Sequence, residues 1–366
     1  MSSLTSIALR RLANQYLTTP KRRAPTEVVA ALGAVQSQDY AGAKWAIALR
    51  TVGLTDAAIE QAFADGAIVR THVMRPTWHF VAPADVRWLL TLTAPRVHAI
   101  SAYRYRDLEL NDTVFRRSHA TMTKALQGNR QLTRAEIGQA LERARIDTKM
   151  PQRLAYLLMN AELHGVICSG PRRGKQFTYA LLEERVPAGT TLPRDEALRE
   201  LVMRYFTTRG PATPQDFSWW SGLTVTDAKR GLEAAGVDLE RTLVGEKTYW
   251  SGGSEPRTKI NSPMAHLLPN YDEYFIGFRD RSAIAQAVRK EEMYEQGDAL
   301  SAHIFIIDGQ VVGGWRRTMK PKSVLVELNP VVRLTKDQRT AVEREARRLG
   351  DFLELPMEVA WAVPAR

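Results

Sequence analysis

Two glutamines, Gln36 and Gln38, flank the single residue Ser37 in this 366-residue chain. An amide is neutral at pH 7 and cannot take a proton from water, but it can hydrogen-bond to a water molecule and hold it in place. Two amides one residue apart therefore suggest a site that positions and polarises a water. The same spacing also fits a polar helix end with no chemical role, and the glutamines alone leave both interpretations open.

Helical spacing on both sides of the glutamines predicts that they lie at a junction between helices. Apolar residues recur at helical intervals in residues 25–36, and a second helical pattern covers residues 41–49. Asp39 directly follows the glutamines and is of a residue type that caps helix N-termini, so it is the predicted N-cap of the second helix. Such junctions expose side chains that a helix interior buries.

The clearest architectural unit spans residues 132–182. Thr133 and Glu136 form a capping-box pattern at the start of one helix, and a second helix is predicted between Pro151 and Gly165. Two short strands follow, joined by a tight basic hairpin. Helix, helix and two-stranded wing is the order of a winged helix, in which the second helix commonly enters the major groove of DNA.

The hairpin carries basic residues that are candidates for contact with a nucleic-acid backbone. They are Arg172, Arg173 and Lys175. Basic side chains on a wing are better suited to contact DNA phosphates than to recognise bases. Alternatively, these charges only face solvent and bind nothing.

A similar order of elements recurs before and after this unit, without a fixed-period repeat of sequence. We therefore predict an α+β protein with tandem winged-helix units over residues 1–110, 111–190 and 191–255. A β-rich, barrel-like domain is predicted over residues 256–366, with the segment HLLPNYDEYFIGF as one of its strands.

The charge balance favours a polyanionic partner. Lys and Arg outnumber Asp and Glu by 51 to 40, which gives a formal charge of +11, although a merely basic protein is the alternative. The last domain contributes a basic cluster that either lines the same anion-binding face as the wing or belongs to a solvated edge strand. This cluster comprises Arg316, Arg317, Lys320 and Lys322.

Several classes of site are not expected. One cysteine and seven scattered histidines offer no paired-cysteine or HExxH arrangement, so no metal site is predicted. The absence of a P-loop and of GxGxxG argues against the common nucleotide cofactors. Cys168, in the apolar run GVIC, is predicted to be a small core residue. Without a signal-peptide pattern or a membrane-length apolar run, a reducing cytoplasm is the expected compartment.

Five separated blocks carry a family resemblance. They are LGAVQSQDYAGAKWAIALR, VMRPTWHFVAPADVRWLLTLTAPR, TPQDFSWWSGLTVTDAKRGLE, LLPNYDEYFIGFRDRS and DGQVVGGWRR. In this order they resemble the winged-helix DNA-binding family that includes the AlkZ and YcaQ DNA glycosylases, over nearly the whole chain. The resemblance implies tandem winged helices with a basic concave surface, a C-terminal β-barrel-like domain and action on alkylated bases, including bulky adducts and interstrand crosslinks.

The resemblance also implies roles for individual residues. The family's catalytic signature is Gln, an aliphatic residue and then Gln or Asp, and Gln36 and Gln38 match the first form. Ser37 replaces the aliphatic centre, and its hydroxyl is expected to loosen the packing that aims the amides. Asp39 either supplies the carboxylate of the second form or only caps its helix. Two interpretations of His79 stay open. It lines the lesion pocket or contacts the DNA backbone, or it packs as a strand residue between its aromatic neighbours.

Two further groups receive structural interpretations. Asp272 and Glu273 are interpreted as partners of Arg279 and Arg281 in an ion-pair network. The two tryptophans at positions 219–220 are interpreted as core residues rather than as a stacking surface for nucleic acid.

The chemistry of two amides limits the substrate. An N7-alkylated purine already carries a positive charge and leaves as a neutral base, so the sugar gains oxocarbenium character before water attacks, and little base strength is needed. Two amide oxygens could then place the water and stabilise the sugar. We predict a DNA glycosylase for cationic N-alkylated purines, monofunctional because no catalytic lysine is evident. It would act as a monomer on double-stranded DNA without a cofactor; the alternative is a non-enzymatic transcription regulator or lesion binder.

Overall fold

The computed structural model describes residues 4–19, 22–186, 188–189, 191–252, 262–286, 288 and 303–362. Helices and strands are mixed throughout these residues, as the sequence predicts. No helix in the described ranges combines the length and the apolarity that crossing a membrane requires.

The first unit has the order helix, short strand, two helices, two strands. It comprises, after α1 (Leu4–Asn14), the elements α2 (Pro25–Leu32), β1 (Val35–Gln36), α3 (Tyr40–Ala48), α4 (Asp56–Ala64), β2 (Val69–Val73) and β3 (Arg75–Val81). The three strands form an antiparallel sheet in the order β1-β3-β2. The helix predicted over residues 25–36 is too long, because Gly33 takes a positive φ of 77° and ends it at Leu32. The chain then enters β1, where Gln36 pairs with His79.

The second unit repeats this order. After α5 (Val86–Asp107) it comprises α6 (Asp112–Leu126), β4 (Leu132–Thr133), α7 (Arg134–Arg143), α8 (Arg153–Leu163), β5 (Ile167–Arg173) and β6 (Gln176–Leu181). Its sheet has the equivalent order β4-β6-β5. The predicted capping box is confirmed, since the side chains of Thr133 and Glu136 each accept a hydrogen bond from the other's backbone.

The third unit follows the same plan with a shorter first strand. After α9 (Leu182–Arg185) it comprises α10 (Arg194–Arg209), α11 (Pro214–Ser221), α12 (Val225–Ala235), a 3₁₀ turn (Gly236–Asp238), β7 (Leu239–Val244) and β8 (Lys247–Gly252). The place of the first strand is taken by one antiparallel bridge between Ala212 and Trp250. In all three units a short strand or bridge thus lies directly before a helix pair and pairs with the last strand.

The C-terminal part is an open sheet, so the predicted barrel-like closure is wrong. Its elements are β9 (Ala265–Leu268), α13 (Glu273–Ile276), β10 (Ile304–Ile307), β11 (Gln310–Met319), β12 (Val324–Pro330), α14 (Lys336–Leu353) and β13 (Met357–Trp361). The strand order is β13-β12-β11-β10-β9, so the two edge strands of the described sheet do not meet. The helix α14 packs against both edges instead. The predicted strand HLLPNYDEYFIGF ends at Leu268, because Asp272 caps the short helix α13.

The hydrophobic cores cross the predicted domain boundaries. One core joins the first unit to the C-terminal sheet, and within it the indole nitrogen of Trp45 donates a hydrogen bond to the Leu267 carbonyl at 2.7 Å. A second core joins β2, β3 and α5 to the third unit, while the second unit has a core of its own. Cys168 is fully buried in the second core, as predicted, and burial raises the pKa of its thiol to about 12. The segment with the two glutamines is therefore held from several parts of the chain.

Candidate active site at the first strand

Gln36 is held at both its backbone and its side chain. Its backbone N–H donates to Oε1 of Glu273 at 3.0 Å, and its side-chain oxygen accepts from Nη2 of Arg75 at 2.9 Å. A guanidinium has only donors, so the amide oxygen must face Arg75 and the amide nitrogen must point elsewhere. The oxygen of Gln36, one of the two amide oxygens expected to place the water, thus already accepts one hydrogen bond.

Glu273 lies at the centre of a buried network. Its Oε2 accepts from Nη2 of Arg209 at 2.6 Å and from the indole N–H of Trp220 at 2.8 Å. Arg209 also donates to the carbonyl of Leu32, the last residue of α2, at 2.8 Å. Glu273, Arg209 and Trp220 are all fully buried. One carboxylate thus connects the backbone of Gln36 to the third unit.

The interpretation of Asp272 and Glu273 as partners of Arg279 and Arg281 is wrong. Asp272 instead accepts two hydrogen bonds from the buried Arg50, at 2.8 and 2.9 Å. Both carboxylates face inward toward arginines from distant parts of the chain, so neighbours in sequence do not reveal their partners.

The backbone of Ser37 is fixed between two elements. Its N–H donates to the Trp78 carbonyl at 2.7 Å, and its carbonyl accepts from Nε and Nη2 of Arg70 at 3.3 and 3.2 Å. The Arg70 guanidinium lies 4.6 Å from the ring centroid of Trp78 and 4.4 Å from that of Phe177 on the strand β6. Burial lowers the pKa of Arg70 to about 10, which leaves it charged at pH 7. Ser37 is fully buried, and its hydroxyl has no hydrogen-bond partner among the described residues, so the expected effect of this hydroxyl on the packing of the amides stays a prediction.

Gln38 is the exposed member of the pair. It is followed by Asp39, whose side chain accepts from the backbone N–H of Gly42 at 3.0 Å, so the predicted cap of α3 is confirmed. Nε2 of His303, from the C-terminal part, lies 3.8 Å from Oδ2 of Asp39. A cavity of about 710 Å³ opens beside Gln38, toward the second unit. Gln38 thus borders an open cavity, whereas Gln36 is almost enclosed.

His79 packs as a strand residue and does not reach the surface. It is fully buried, and its Nδ1 lies 3.0 Å from the Thr77 carbonyl oxygen. Burial is the main cause that lowers the pKa of its imidazole well below the usual range, so the ring is neutral at pH 7. His79 is a sheet neighbour of Gln36, but it cannot touch a lesion or the DNA backbone in this conformation.

The basic hairpin of β5 and β6 packs partly against the rest of the protein. Arg172 lies 3.4 Å from Glu60 of α4 and 5.1 Å from the ring centroid of Tyr40. Arg173 pairs with Glu136 at 2.9 Å. Lys175 is exposed and lines the cavity beside Gln38. Contact of these residues with DNA stays a prediction.

The second basic cluster lies on the strand β11 and the turn after it. Arg317 is close enough to His303, the neighbour of Asp39, to contribute to lowering the pKa of that histidine, although burial is the larger cause. Arg316 is exposed and opposite Glu327, and Lys320 pairs with Glu358 at 2.6 Å. Of the cluster, Arg317 thus acts on the histidine that lies beside Asp39.

The sequence did not single out Arg70, Arg75 or Phe177, whose contacts surround the glutamine segment. No local pattern marks them, because each acts on a residue more than thirty positions away. Of the tryptophans at positions 219–220, the second is buried as predicted, but the first is 46% exposed and therefore not a core residue.

Comparisons with known proteins identify the family of the chain and its overall fold. The family model for AlkZ-like DNA glycosylases matches residues 29–352. An interstrand DNA cross-link repair glycosylase from Streptomyces sahachiroi is 25% identical over 324 residues, which cover 83% of this chain and 85% of the relative. The solved structure of the Streptomyces sahachiroi DNA glycosylase AlkZ superposes with a TM-score of 0.80 at 23% identity, covering 98% of this chain and 99% of the other.

Proposed function

The chain belongs to the AlkZ-like DNA glycosylase family, and on that premise we propose that it hydrolyses the N-glycosidic bond of cationic N-alkylated purines in double-stranded DNA. Its proposed lesions are of the N7-alkylguanine type and include interstrand crosslinks, the lesion for which its Streptomyces relative is named. Because the chain belongs to a glycosylase family, we no longer consider the alternative of a non-enzymatic transcription regulator or lesion binder. The observation that carries the proposal is the rigid support of the segment from Gln36 to Gln38, with only Gln38 exposed.

We further propose that the three repeated units are winged helices that together hold duplex DNA. Their common element order and the equivalent strand orders β1-β3-β2 and β4-β6-β5 support this reading. Charge supports it as well, since the chain carries a formal charge of +11. Proteins commonly bind DNA through Lys and Arg side chains that displace the counterions of its phosphates. On this model the enzyme acts as a monomer in the cytoplasm, bound to DNA.

The proposed chemistry divides the task between the two amides. Gln38 offers its carbonyl oxygen to a water, while Gln36, whose own oxygen is held by Arg75, offers its amide nitrogen. The water can then donate to one amide and accept from the other, and it keeps a lone pair for C1′. As this lone pair bonds to C1′ the N-glycosidic bond breaks, the purine leaves as a neutral base, and the proton lost by the water passes to the solvent. Neither amide removes a proton in the ground state, so the reaction depends on a base that departs readily. A cationic purine does so, and an ordinary base does not.

The experiment that tests this proposal is base release from defined duplexes. The protein is incubated with DNA containing one N7-methylguanine or one N7–N7 interstrand crosslink, and abasic sites are then cleaved with alkali. Free base, and strand separation for the crosslink, should appear without trapping of a covalent enzyme–DNA product by borohydride. Tight binding without release would contradict the catalytic proposal, and borohydride trapping would contradict simple hydrolysis.

We expect Arg70→Met to lower the rate of base release from bound DNA by about 10- to 100-fold, because small displacements of a catalytic group can cost about 10²-fold. The buried Arg70 holds the carbonyl between the two glutamines, so the dissociation constant for DNA should not change. Single-turnover kinetics together with binding titrations separate the two effects. The control is Lys175→Met, at an exposed position of the hairpin. This variant should bind DNA more weakly and release bases from bound DNA at the wild-type rate. Equal losses of rate and affinity in Arg70→Met would contradict a positioning role.

We expect Asp39→Asn to keep nearly full activity. Asparagine is as good an N-cap as aspartate, so the variant removes the charge and retains the hydrogen bond to Gly42. Base release from N7-methylguanine DNA at pH 7 is the measurement. A loss of about tenfold or more in the rate, with an unchanged melting temperature, would show that the carboxylate takes part in the reaction.

A further inference from the structure

One tryptophan of α11 lies at the surface of the third unit. Trp219 is 46% exposed, whereas the next residue, Trp220, is fully buried. The indole N–H of Trp219 donates to the Ile276 carbonyl at 3.0 Å, so the polar edge of the ring has its partner and the ring is held in one orientation. The part that stays exposed is apolar ring surface. A ring fixed in this way can bind a flat ligand at little cost in side-chain freedom.

An arginine lies beside the exposed ring. The Arg281 guanidinium is 5.7 Å from the ring centroid of Trp219 and 4.6 Å from that of Phe275. Its Nε donates to the Phe275 carbonyl at 3.0 Å, which fixes the guanidinium in this place. Arg279, two residues earlier, is exposed and adds a second positive charge to the same segment. Proteins bind unstacked nucleotides with this combination, because an aromatic ring stacks on the base and a positive charge attracts the phosphate.

A row of adjacent side chains connects Trp219 to the glutamine segment. Arg281 is close enough to Arg75 for its charge to contribute to lowering the pKa of Arg75, although burial is the main cause. Arg75 in turn donates to the side-chain oxygen of Gln36 at 2.9 Å. Gly222, which ends α11, packs against the same arginine, since a Cβ at this position would lie 3.3 Å from Cγ of Arg75. Two arginine side chains thus separate Trp219 from Gln36, which places the indole beside a neighbour of the reacting nucleotide and not at the reacting sugar.

The neighbour that offers a free face is the base across the duplex. In intact duplex DNA the faces of each base are covered by the bases above and below it, so an indole can stack only on a base that has left the stack. A base without a pairing partner leaves the stack at the smallest cost. Removal of the lesion purine takes the partner away from the opposite base.

We propose that Trp219 stacks on the base opposite the lesion site when this base is unpaired, and that the positive charge of Arg281 attracts the phosphate of the same nucleotide; the inference rests on the proposed function. The contact is independent of base identity, because every base has a π-face. It stabilises the complex with DNA whose lesion purine has already left. Trp219 is thus a DNA-binding residue that touches none of the reacting atoms.

The test uses two variants that separate the ring of Trp219 from its hydrogen bond. Trp219→Gln removes the ring and keeps an N–H donor for the Ile276 carbonyl, whereas Trp219→Phe keeps a ring and removes the donor. Tyr103→Gln, at an exposed aromatic position on α5, is the matched control. Fluorescence anisotropy measures binding to two duplexes that carry a tetrahydrofuran abasic analogue. Cytosine lies opposite the analogue in one duplex, and a second tetrahydrofuran, without a base, lies opposite it in the other.

We expect the wild type and Tyr103→Gln to bind the cytosine duplex about tenfold more tightly than the double abasic duplex, as stacking of one base provides. Trp219→Gln should bind both duplexes equally, and Trp219→Phe should keep most of the preference. A wild type that binds both duplexes equally would overturn the proposal. A preference that survives in Trp219→Gln would also overturn it, because the base would then be bound elsewhere.

The outcome is independent of catalysis. Neither duplex contains a purine that the enzyme could release from the abasic site. A protein that shows the preference but releases no base from N7-methylguanine DNA would therefore contradict the catalytic proposal and support the stacking role of Trp219.

Discussion

Gln38→Ala is expected to lower the single-turnover rate of base release from N7-methylguanine DNA by about 10²- to 10³-fold, the loss typical of removing one preorganised polar group from a reacting centre. Gln36→Ala should cause a loss of similar size. The reason differs between the two. Gln38 is exposed toward the ligand, whereas Gln36 is oriented by Arg75 and Glu273 and contributes a fixed donor. Affinity for DNA should change little in either variant, because two amides provide a small part of a large interface.

The control for this pair is Gln127→Ala, which removes an exposed amide at the end of α6. Its rate should equal that of the wild type. The double variant Gln36→Ala/Gln38→Ala should lose little more than either single variant, because two groups that hold one water act as a unit. Unchanged release by both single variants would remove the amides from the mechanism. Strictly additive losses would show that the amides act on different atoms.

Glu273→Ala is expected to lower the free energy of unfolding by about 3–5 kcal/mol, the usual cost of leaving one partner of a buried ion pair alone. Arg209 would remain fully buried without its carboxylate, and Trp220 and the backbone of Gln36 would each lose an acceptor. Chemical denaturation followed by tryptophan fluorescence and circular dichroism measures the change. The variant protein that remains folded should also release bases slowly, since Gln36 has lost its support.

A matched control separates this effect from the loss of any carboxylate. Asp195 forms an exposed ion pair with Arg230, and Asp195→Asn should leave unfolding unchanged, because exposed pairs contribute little. The double variant Glu273→Leu/Arg209→Met removes both buried charges and should be more stable than Glu273→Ala. If Glu273→Ala unfolds at the same denaturant concentration as the wild type, the buried network does not support the site as described.

Local sequence patterns predicted the second unit well. The capping box at Thr133 and the hairpin with Arg172 and Arg173 have strong local signals, and the structure has both. The short strands before each helix pair were missed, because two residues such as Val35 and Gln36 are too few to show a period. Each of these short strands forms because it pairs with the last strand of its unit, which lies beyond the helix pair in the sequence.

The candidate site could be predicted only in part. The spacing of the glutamines and the family resemblance located the segment, and Asp39 was correctly expected to cap α3. The partners that fix the segment come from far along the chain, as Glu273 does for Gln36, and no local pattern reveals them. The open C-terminal sheet was missed for the same reason, since closure of a sheet depends on which edges meet in space.

In the proposed mechanism the two amides suffice only for a base that is already cationic. The most direct test compares two duplexes with N7-methylguanine or its uncharged isostere, 7-methyl-7-deazaguanine, at the same position. Single-turnover release is measured with enzyme in excess and both duplexes fully bound. We predict release of the cationic base and no enzyme-dependent release of the neutral one. Comparable release of both bases would contradict this mechanism, because the protein would then have to activate the leaving group itself.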